Sequence, residues 1–375
     1  MFTKLFKLLL LLLSILSTGQ ALSENTIKVG MSNALTGPIS NLGQALNQGT
    51  LIYFKQLNNS GGINGQKVEL ISLDDGYDPQ KAVINTKTLI QHDNVLALLN
   101  FLGAPTSHAI LPILKQTNIP YLMPVTGADF LRVPAINNIF NLRTSYLQEA
   151  QAQIDYLVKE KGFSRMALVI QADEFGLAAQ RSYVKILKKY NLEAVVNERF
   201  KRNSSDMESV VNRLKAIPLD AVIFVGTYHP FVNLLNLSYE QNIRPYFSAL
   251  SFVSSQDVFL GLKHPSKVVI SEVMPEPYQC QWTICKKFIH DMKTAGYQDL
   301  NRIQLEGYLG AHIFSLAAKE CGSSLTRACL LKELNSFKYK QGGLDVSFSN
   351  SNHQALNLVY LSLSDAIKAE QASKK

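Results

Sequence analysis

The segment FLGAPTSHAILP, residues 101–112, contains the pattern that decides the fold of this 375-residue chain. An apolar run at residues 95–101 stops at a glycine, and Pro105, Thr106 and Ser107 then open a stretch with apolar residues at helical spacing. This order predicts a strand, a tight turn and the first turn of a helix. Such a turn leaves several backbone N–H groups free at one point, where they can hold an anionic or polar group.

The same strand–turn–helix unit recurs along the chain in two series. The first series predicts strands at 26–32, 67–73, 94–101 and 119–123, with helices at 42–58, 79–91 and up to 116. The second predicts helices at 146–161, 175–190, 207–215 and 230–241, with strands at 165–171, 192–199 and 221–226. Alternating strands and helices form parallel sheets with helices on both faces. We therefore expect an α/β fold with two doubly wound parallel-sheet halves.

The segments that follow alternate less regularly. They predict strands at 268–273, 344–348 and 356–361, and helices at 282–293, 303–319 and 326–334. They are too few for a third domain, so we expect them to extend the first two. Two domains also suit the length, because a single hydrophobic core rarely grows beyond about 250–300 residues. Residues 364–375 are expected to form a C-terminal tail.

The N-terminus has the three regions of a secretory signal peptide. MFTKLFK is a basic n-region, residues 8–16 are an apolar h-region with one serine, and GQA at 19–21 is a small-x-small cleavage site. A membrane anchor is the alternative, but this apolar region is well short of the roughly 20 residues needed to cross a bilayer. We therefore expect residues 1–21 to be a signal peptide that is cleaved near Ala21 on export.

The charge pattern does not favour a nucleic-acid partner. The formal net charge is +8, and removal of residues 1–21 takes away two lysines and no acid, which lowers it to +6. Basic residues are scattered among acids, and the densest cluster, Lys185, Lys188 and Lys189, has the spacing of a solvated helix face. An exported protein rarely meets nucleic acid. The positive charge therefore indicates a solvated surface with weak attraction to anionic surfaces.

The chain contains four cysteines, at positions 280, 285, 321 and 329. An even number in an exported chain indicates disulfides. Of the three connectivities, the local pairing of Cys280 with Cys285 and of Cys321 with Cys329 is the preferred prediction. A zinc site is the alternative, but the spacing lacks two C-x2-4-C knuckles.

No catalytic or metal-binding motif is present in the sequence. There is no G-x-S-x-G elbow, P-loop, H-E-x-x-H or G-x-G-x-x-G, and the seven histidines are dispersed. The acids Asp74 and Asp75 end a predicted strand, where open α/β sheets place ligands, but DDGYDP is rich in turn formers and favours a hydrogen-bonded turn. We therefore expect a protein that is not an enzyme and that needs no cofactor or metal.

Several segments together resemble the type I periplasmic substrate-binding proteins of the branched-chain amino acid and amide-binding family, also called leucine-binding protein-like. The GGINGQKVEL and DDGYDP sequences are the most diagnostic, and the similarity runs in register over nearly the whole mature chain. The segments that carry it are IKVGMSNALTGPISNLG (27–43), NSGGINGQKVELISLDDGYDPQKAV (59–83), LGAPTSHAILPIL (102–114), QADEFG (171–176) and GTYHP (226–230). The resemblance implies a hinged two-lobe fold and a monomeric periplasmic receptor that binds a small solute for the permease of an ABC importer.

Members of this family cross between their lobes three times. By position, the resemblance places the crossings near 141–145, 273–277 and 344–347. Lobe one then comprises residues 25–142 and 276–344, and lobe two comprises residues 143–274 and 345–363.

In the family, the turn after the third strand holds the carboxylate of the ligand, and the resemblance places Gly103, Ala104 and Thr106 in that turn. Amino-acid-binding members often have serines here, so this chain offers fewer hydroxyl groups, and Pro105 removes one N–H donor. Thr106 keeps a hydroxyl, for which capping of the helix is the alternative role.

The resemblance assigns further contacts to the other loops. Thr126 and Gly127 align with the second set of contacts in lobe one. In lobe two, Phe175 stands where many members have a tyrosine, Tyr228 matches an aromatic contact, and Ser251 follows the strand at which amino-acid binders place an acid. Half-buried packing is the alternative role of Phe175 and Tyr228.

The segment SALSFVSSQ at 248–256 has no carboxylate where amino-acid binders pair the ligand's ammonium group. An unpaired ammonium in a closed, dry cleft is costly, and Asp173 is the available substitute. The ligand class therefore stays open among an amino acid, an amide and an aliphatic or aromatic carboxylate. The output also stays open, because the same fold serves as the ligand-binding subunit of signalling systems that act through a membrane partner.

Overall fold

The computed structural model describes residues 26–366, which form two α/β lobes. The predicted signal peptide and most of the predicted tail lie outside the described residues. The sheet of the first lobe has the strand order β2-β1-β3-β4-β5, with every neighbouring pair parallel. Its strands are β1 (Ile27–Asn33), β2 (Val68–Asp74), β3 (Ala97–Leu99), β4 (Tyr121–Leu122) and β5 (Ile139–Phe140).

The sheet of the second lobe has six strands in the order β13-β10-β9-β8-β6-β7, and only β13 runs antiparallel to its neighbour. The central strands β6 and β8 are buried at every residue, as expected for parallel strands covered by helices on both faces. The predicted fold class is confirmed. The strands are β6 (Met166–Gln171), β7 (Val196–Phe200), β8 (Ala221–Val225), β9 (Tyr246–Ala249), β10 (Val268–Glu272) and β13 (Tyr360–Leu363).

Helices cover both sheets, and a two-stranded antiparallel hairpin, β11 (Lys338–Gln341) and β12 (Leu344–Ser347), adds to the first lobe. In the described chain the helices are α1 (Ser40–Asn59), α2 (Pro79–Gln91), α3 (Ala104–Thr117), α4 (Tyr146–Asp155), α5 (Glu174–Lys189), α6 (Glu208–Lys215), α7 (Tyr228–Glu240), α8 (Ser255–Gly261), α9 (Thr283–Thr294), α10 (Arg302–Glu320) and α11 (Arg327–Asn335). No helix within residues 26–366 is long and apolar enough to cross a membrane.

The chain passes between the lobes at three places. The first passage leads from β5 to α4, and the second follows β10, because Met274 already packs in the core of the first lobe. The third lies at residues 357–359, between Leu356 in the first lobe's core and the start of β13 in the second sheet. The first and third passages lie side by side, since Leu356 N–H donates to the carbonyl of Leu142 at 2.9 Å.

The predicted third crossing at 344–347 is too early. Strand β12 occupies these residues and pairs with β11, and Phe348 packs with Phe140 in the first lobe's core. Residues 345–356 therefore belong to lobe one rather than to lobe two. The physical reason is that Leu344 and Val346 of β12 are buried in the core of the first lobe, a contact that strand-like alternation in the sequence does not reveal.

Both disulfides have the predicted local connectivity. Cys280 is bonded to Cys285 at 2.00 Å and Cys321 to Cys329 at 2.08 Å. The first disulfide closes the loop that leads into α9, and the second joins the end of α10 to α11. Both disulfides therefore connect the ends of first-lobe helices to neighbouring segments.

Candidate functional site

The loops at the carboxyl ends of both sheets meet between the lobes around four aromatic rings. Tyr77 follows β2 and Tyr146 opens α4, while Phe175 and Phe252 follow β6 and β9. Ring centroids lie 6.0 Å apart for Tyr77 and Phe252, 4.9 Å for Phe252 and Phe175, and 5.4 Å for Phe175 and Tyr146. Each of the four residues is only 1% exposed. We call them the central aromatic cluster.

Two glycines of the predicted site make room for these rings. A Cβ on Gly103 would lie 2.4 Å from Cε2 of Tyr77, and a Cβ on Gly127 would lie 2.4 Å from Cδ1 of Tyr146. Gly103 also has a φ of 102°, which a side chain would strain. Both glycines are therefore required by the close approach of the cluster to the first-lobe loops.

The two predicted threonines differ in what their hydroxyl groups do. The Thr126 hydroxyl lies 3.1 Å from the Tyr146 hydroxyl and accepts the N–H of Ala128 at 3.2 Å. Burial raises the pKa of Tyr146 to about 12, so its hydroxyl keeps its proton at neutral pH. Thr126 is thus held against the central aromatic cluster.

The Thr106 hydroxyl donates to the carbonyls of Leu102 and Gly103, at 2.5 and 3.0 Å. It does not accept a helix N–H, so Thr106 does not have the alternative role of capping the helix, because Gly103 occupies the N-cap position of α3. Among the residues that the structure describes, the N–H groups of Ala104 and Thr106 have no hydrogen-bond acceptor. These two amides remain able to bind a carboxylate or an amide oxygen.

Tyr228 lies apart from the central aromatic cluster. It is half-buried and lines a pocket of about 370 Å³ between Pro38, Ser40 and Asn41 of the first lobe and α8 of the second. Its ring lies 4.8 Å from that of His229. The structure therefore places Tyr228 at the rim of the cleft, away from the other predicted site residues.

The acidic turn after β2 orients Tyr77. Asp74 accepts the N–H groups of Leu35, Thr36 and Gly76 at 2.9 to 3.1 Å. Asp75 accepts the N–H of Tyr77 at 2.8 Å. The pair thus forms the hydrogen-bonded turn that the sequence favoured, and this turn positions a ring of the central aromatic cluster.

Arg202, which follows β7, reaches across the cleft to the first lobe. Its guanidinium lies 4.5 Å from the ring centroid of Tyr77 and donates to the Tyr77 carbonyl. Its Nε lies 3.3 Å from Oδ2 of Asp173. Asp173 also accepts the Gly176 N–H at 3.1 Å and the Gln171 amide at 2.6 Å. The acid that the sequence offered as a partner for a ligand's ammonium group is therefore already hydrogen-bonded to residues of its own lobe.

Ser251 lies beside a carboxylate that the sequence reasoning missed. Oε2 of Glu149, on α4, accepts the Ser251 N–H at 2.9 Å and the Ser271 hydroxyl at 2.6 Å. Burial raises the pKa of Glu149, although the Arg143 guanidinium and these hydrogen bonds oppose the shift. The second lobe thus has a carboxylate beside Ser251, and this carboxylate belongs to a helix about a hundred residues earlier in the chain. A glutamate three residues after Tyr146, on a buried helix face, is the one signal that could have revealed it.

A buried ion pair fixes the first passage between the lobes. Nε of Arg143 lies 2.9 Å from Oε1 of Glu306 on α10, and both side chains are 1% exposed. Arg132 donates to the carbonyls of Thr126, Ala128 and Arg143 at 2.9 to 3.0 Å. The start of the hinge is therefore anchored to the same first-lobe loop that carries Thr126.

A family model described as periplasmic binding protein matches residues 26–365. The chain belongs to this family. Its relatives and structural neighbours place it with the type I periplasmic binding proteins that resemble leucine-binding proteins. The expected family is therefore confirmed.

Three comparisons illustrate the similarity. A Leu/Ile/Val-binding protein of Citrobacter freundii is 27% identical over 206 residues, which cover 54% of this chain and 55% of the relative. A possible leucine/isoleucine/valine-binding protein of Rhodopirellula baltica has a TM-score of 0.85 and 27% identity, over 92% of this chain and 95% of that one. A fatty acid ABC transporter substrate-binding protein of Thermomonospora curvata has a TM-score of 0.82 and 22% identity, over 93% and 91%. The chain spans about half the length of the curated relatives that it matches.

Proposed function

We propose that this periplasmic binding protein is the solute receptor of an ABC importer and traps a small amino acid, amide or carboxylate between its lobes. The observation that carries the proposal is the central aromatic cluster, because both lobes contribute rings to one buried site at the carboxyl ends of two parallel sheets. Ligands of open α/β sheets bind at this edge.

Hinge closure is the mechanism that suits this arrangement. The three chain passages lie close together, because Leu356 N–H donates to the Leu142 carbonyl and Glu272 at the end of β10 pairs with Tyr360 at the start of β13. Groups of opposite lobes also touch across the cleft, as Arg202 does with Tyr77. A ligand that contacts both lobes binds the closed form more tightly than the open form and so shifts the population toward closure.

The chemistry of the site supports a small ligand with an apolar body and one polar end. The rings of the cluster offer apolar surface, and the amides of Ala104 and Thr106 offer donors for a carboxylate or an amide oxygen. The relatives are named for leucine, isoleucine and valine, and one structural neighbour is named for fatty acids. The proposed contact residues are Gly103, Ala104, Thr106, Thr126, Gly127, Phe175 and Ser251, joined by Tyr77, Tyr146 and Phe252, with Tyr228 at the rim.

The cellular setting belongs to the same proposal. A signal peptide cleaved near Ala21 delivers the protein to the periplasm, where it acts as a monomer and docks on the importer's inner-membrane permease. The family match supports this setting, because the family is described as periplasmic binding proteins and one structural neighbour is named as the substrate-binding protein of an ABC transporter.

Thermal unfolding of the purified mature protein tests the proposal. The probes are the twenty L-amino acids, their amides and their desamino carboxylates, each at millimolar concentration. A ligand at about a hundred times its Kd should add about 2.7 kcal/mol to the free energy of unfolding and raise Tm by several degrees. A protein whose Tm responds to none of these compounds would contradict the proposal.

Two variants tie binding to the site. Thr126→Ala should weaken the affinity for the confirmed ligand about tenfold, because it removes the hydroxyl that supports Tyr146. Thr117→Ala is the matched control, since its hydroxyl only donates to the Ile113 carbonyl on the exposed end of α3. Equal affinities of the two variants would place the ligand elsewhere.

A further inference from the structure

A cavity of about 490 Å³, here called the hinge cavity, lies between the lobes and apart from the central aromatic cluster. Its first-lobe wall comes from the segment that follows the second chain passage and from the start of α10. Its second-lobe wall comes from α8 and from strand β13. The residues that line it include no member of the cluster and none of the proposed contact residues.

The hinge cavity touches two of the three chain passages. Pro275 and Glu276 directly follow the second passage, and Tyr360 directly follows the third. The two passages run side by side here, because Glu272 at the end of β10 pairs with Tyr360 at the start of β13. Since the walls belong to different lobes, a rotation about the hinge must change the shape of the cavity.

Strand β13 and helix α8 supply the apolar wall. Tyr360 and Ser362 are two residues apart on the strand, so their side chains share one face of it. Ser362 pairs with Ile270 of β10, and Phe259 of α8 packs in the core on the Ile270 side of the sheet. The rings of Phe259 and Tyr360 therefore lie on the same side of the sheet, where they offer surface to an apolar group.

Arg302, the first residue of α10, supplies the positive charge of the cavity. Its Nε donates to the carbonyl of Met274 at 3.2 Å, and within the described residues its guanidinium forms no ion pair with an acid. Burial raises the pKa of Glu272 and of Tyr360, and the charge of Arg302 opposes both shifts from a longer distance. The remaining N–H groups of Arg302 can thus bind a carboxylate through two parallel hydrogen bonds.

Glu276 is the acid in the lining of the hinge cavity. Its Oε2 accepts the Gln279 N–H at 2.9 Å, so the carboxylate is held in its own turn. Glu276 and Arg302 form no ion pair with each other in the part of the chain that the structure describes, although both line the cavity. The guanidinium is therefore the charged group that a ligand can engage.

We propose that the hinge cavity is a second ligand site, which takes a small carboxylate with an apolar body and favours the closed form when it is occupied. The carboxylate lies on the Arg302 guanidinium, and the apolar body lies on the rings of Phe259 and Tyr360. This site is separate from the ligand of the proposed function.

The effect on closure follows from the contacts between the lobes. The lobes touch in this structure, as Arg202 does with Tyr77. A molecule that fits the hinge cavity in this arrangement binds the closed form more tightly than the open form. By linkage it raises the affinity of the cleft for its own ligand. This coupling rests on the proposed function, whereas the site itself does not.

Phenylacetate and its neutral amide, phenylacetamide, test the site in ligand-observed NMR titrations of the mature protein. Phenylacetate should bind, and phenylacetamide should bind about tenfold more weakly or worse, because it lacks the charge that the guanidinium pairs. Arg302→Gln should lower the affinity for phenylacetate about tenfold or more for the same reason. Arg327→Gln is the matched control: Arg327 also opens a first-lobe helix and donates to a carbonyl, that of Val95 at 2.7 Å, and its variant should bind phenylacetate as the wild type does.

Three further variants locate the probe and fix the sign of its charge. Glu276→Gln removes a negative charge from the lining and should bind phenylacetate at least as tightly as the wild type. Thr126→Ala should bind it unchanged, because Thr126 belongs to the cleft. Ser362→Phe places a ring in the cavity, leaves Arg302 intact and should abolish binding. It keeps the test decisive if circular dichroism shows that Arg302→Gln is misfolded.

Calorimetric titration of the cleft ligand tests the coupling. Saturating phenylacetate should raise the affinity for that ligand about fivefold in the wild type and leave it unchanged in Arg302→Gln. An affinity that does not respond to phenylacetate in the wild type would overturn the coupling.

Four outcomes would overturn the site. They are no binding of phenylacetate at millimolar concentration, equal binding of phenylacetamide, wild-type affinity of folded Arg302→Gln or Ser362→Phe, and weaker binding by Glu276→Gln. Competition between phenylacetate and the cleft ligand would overturn it as well. A thermal screen that finds no cleft ligand would overturn the proposed function and leave the phenylacetate titrations of the hinge cavity unaffected.

Discussion

Burial of Asp75, in the turn that orients Tyr77, makes the stability of the protein depend on pH. Burial raises the pKa of Asp75 to about 6 from an ordinary 3.8, although hydrogen bonds from Ser32 and the Tyr77 N–H oppose the shift. Between these two pKa values the folded state binds more protons than the unfolded state. The contribution of Asp75 to stability therefore falls as the pH rises from about 4 to about 6.

We predict that Asp75→Asn removes this pH-dependent cost. Relative to the wild type, the variant should gain about 2–3 kcal/mol in free energy of unfolding between pH 4 and pH 7, since one pKa unit corresponds to about 1.4 kcal/mol. Urea denaturation at several pH values measures the difference. Asp74→Asn is the control with the opposite sign, because hydrogen bonds from Thr36 and Gly76 outweigh burial and lower the pKa of Asp74. The prediction would be contradicted if the difference in free energy of unfolding between Asp75→Asn and the wild type were the same at every pH.

At this scale the sequence located the loops of the site better than it located the side chains that fill them. Gly103, Thr126 and Phe175 do come together, because strand ends can be recognised from apolar runs and turn residues. Glu149 could not be found this way, since it lies inside a helix and reaches Ser251 only through the packing of α4 on the second sheet. Tertiary contacts of this kind leave no local pattern.

At the scale of elements, α1 and α10 pack at unusually close range. A Cβ on Gly49 of α1 would lie 1.9 Å from the carbonyl oxygen of Gln304, and one on Gly307 of α10 would lie 2.2 Å from that of Leu46. Small residues on both helices therefore let the two backbones touch. The Thr50 hydroxyl uses this proximity to reach the Gly307 carbonyl, at 3.2 Å.

We predict that Gly49→Ala destabilises the protein by about 3 kcal/mol, because the two helices must move apart. The sign is informative, since the same change inside an isolated helix stabilises it by about 1 kcal/mol. Leu51→Ala, at a position of α1 that is 43% exposed, is the control and should change stability by less than about 1 kcal/mol. Chemical denaturation measures both variants, and a stabilised Gly49→Ala would show that the helices do not pack as described.

Both helices were predicted to within two residues at each end, from their apolar spacing and from the turn residues around them. The packing of the two helices against each other was not predicted, because more than 200 residues separate them in the chain. The hairpin of β11 and β12 shows the same limit. The sequence predicted a strand at 344–348, but it did not predict the pairing of this strand with β11 or its packing in the first lobe's core.

At the scale of the whole molecule, contacts between the lobes set the balance between open and closed forms. Nδ2 of Asn41, at the start of α1, donates to Oδ2 of Asp257 on α8 at 2.6 Å. The two residues belong to different lobes, so hinge opening breaks this hydrogen bond. It is a contact of the closed form that touches no residue of the central aromatic cluster.

We predict that Asn41→Ala weakens ligand affinity about twofold to fivefold without changing the site, because an exposed hydrogen bond contributes about 0.5–1 kcal/mol to the closed form. The change should appear mainly as faster ligand dissociation in stopped-flow measurements. Asp257→Ala should have a similar effect, and the double variant should be no weaker than either single variant, since all three lack the same hydrogen bond. Arg213→Ala is the control, because it breaks the 2.6 Å pair with Glu198 within lobe two and should leave the affinity unchanged. Fully additive effects of the two single variants would show that the contact does not hold the lobes together.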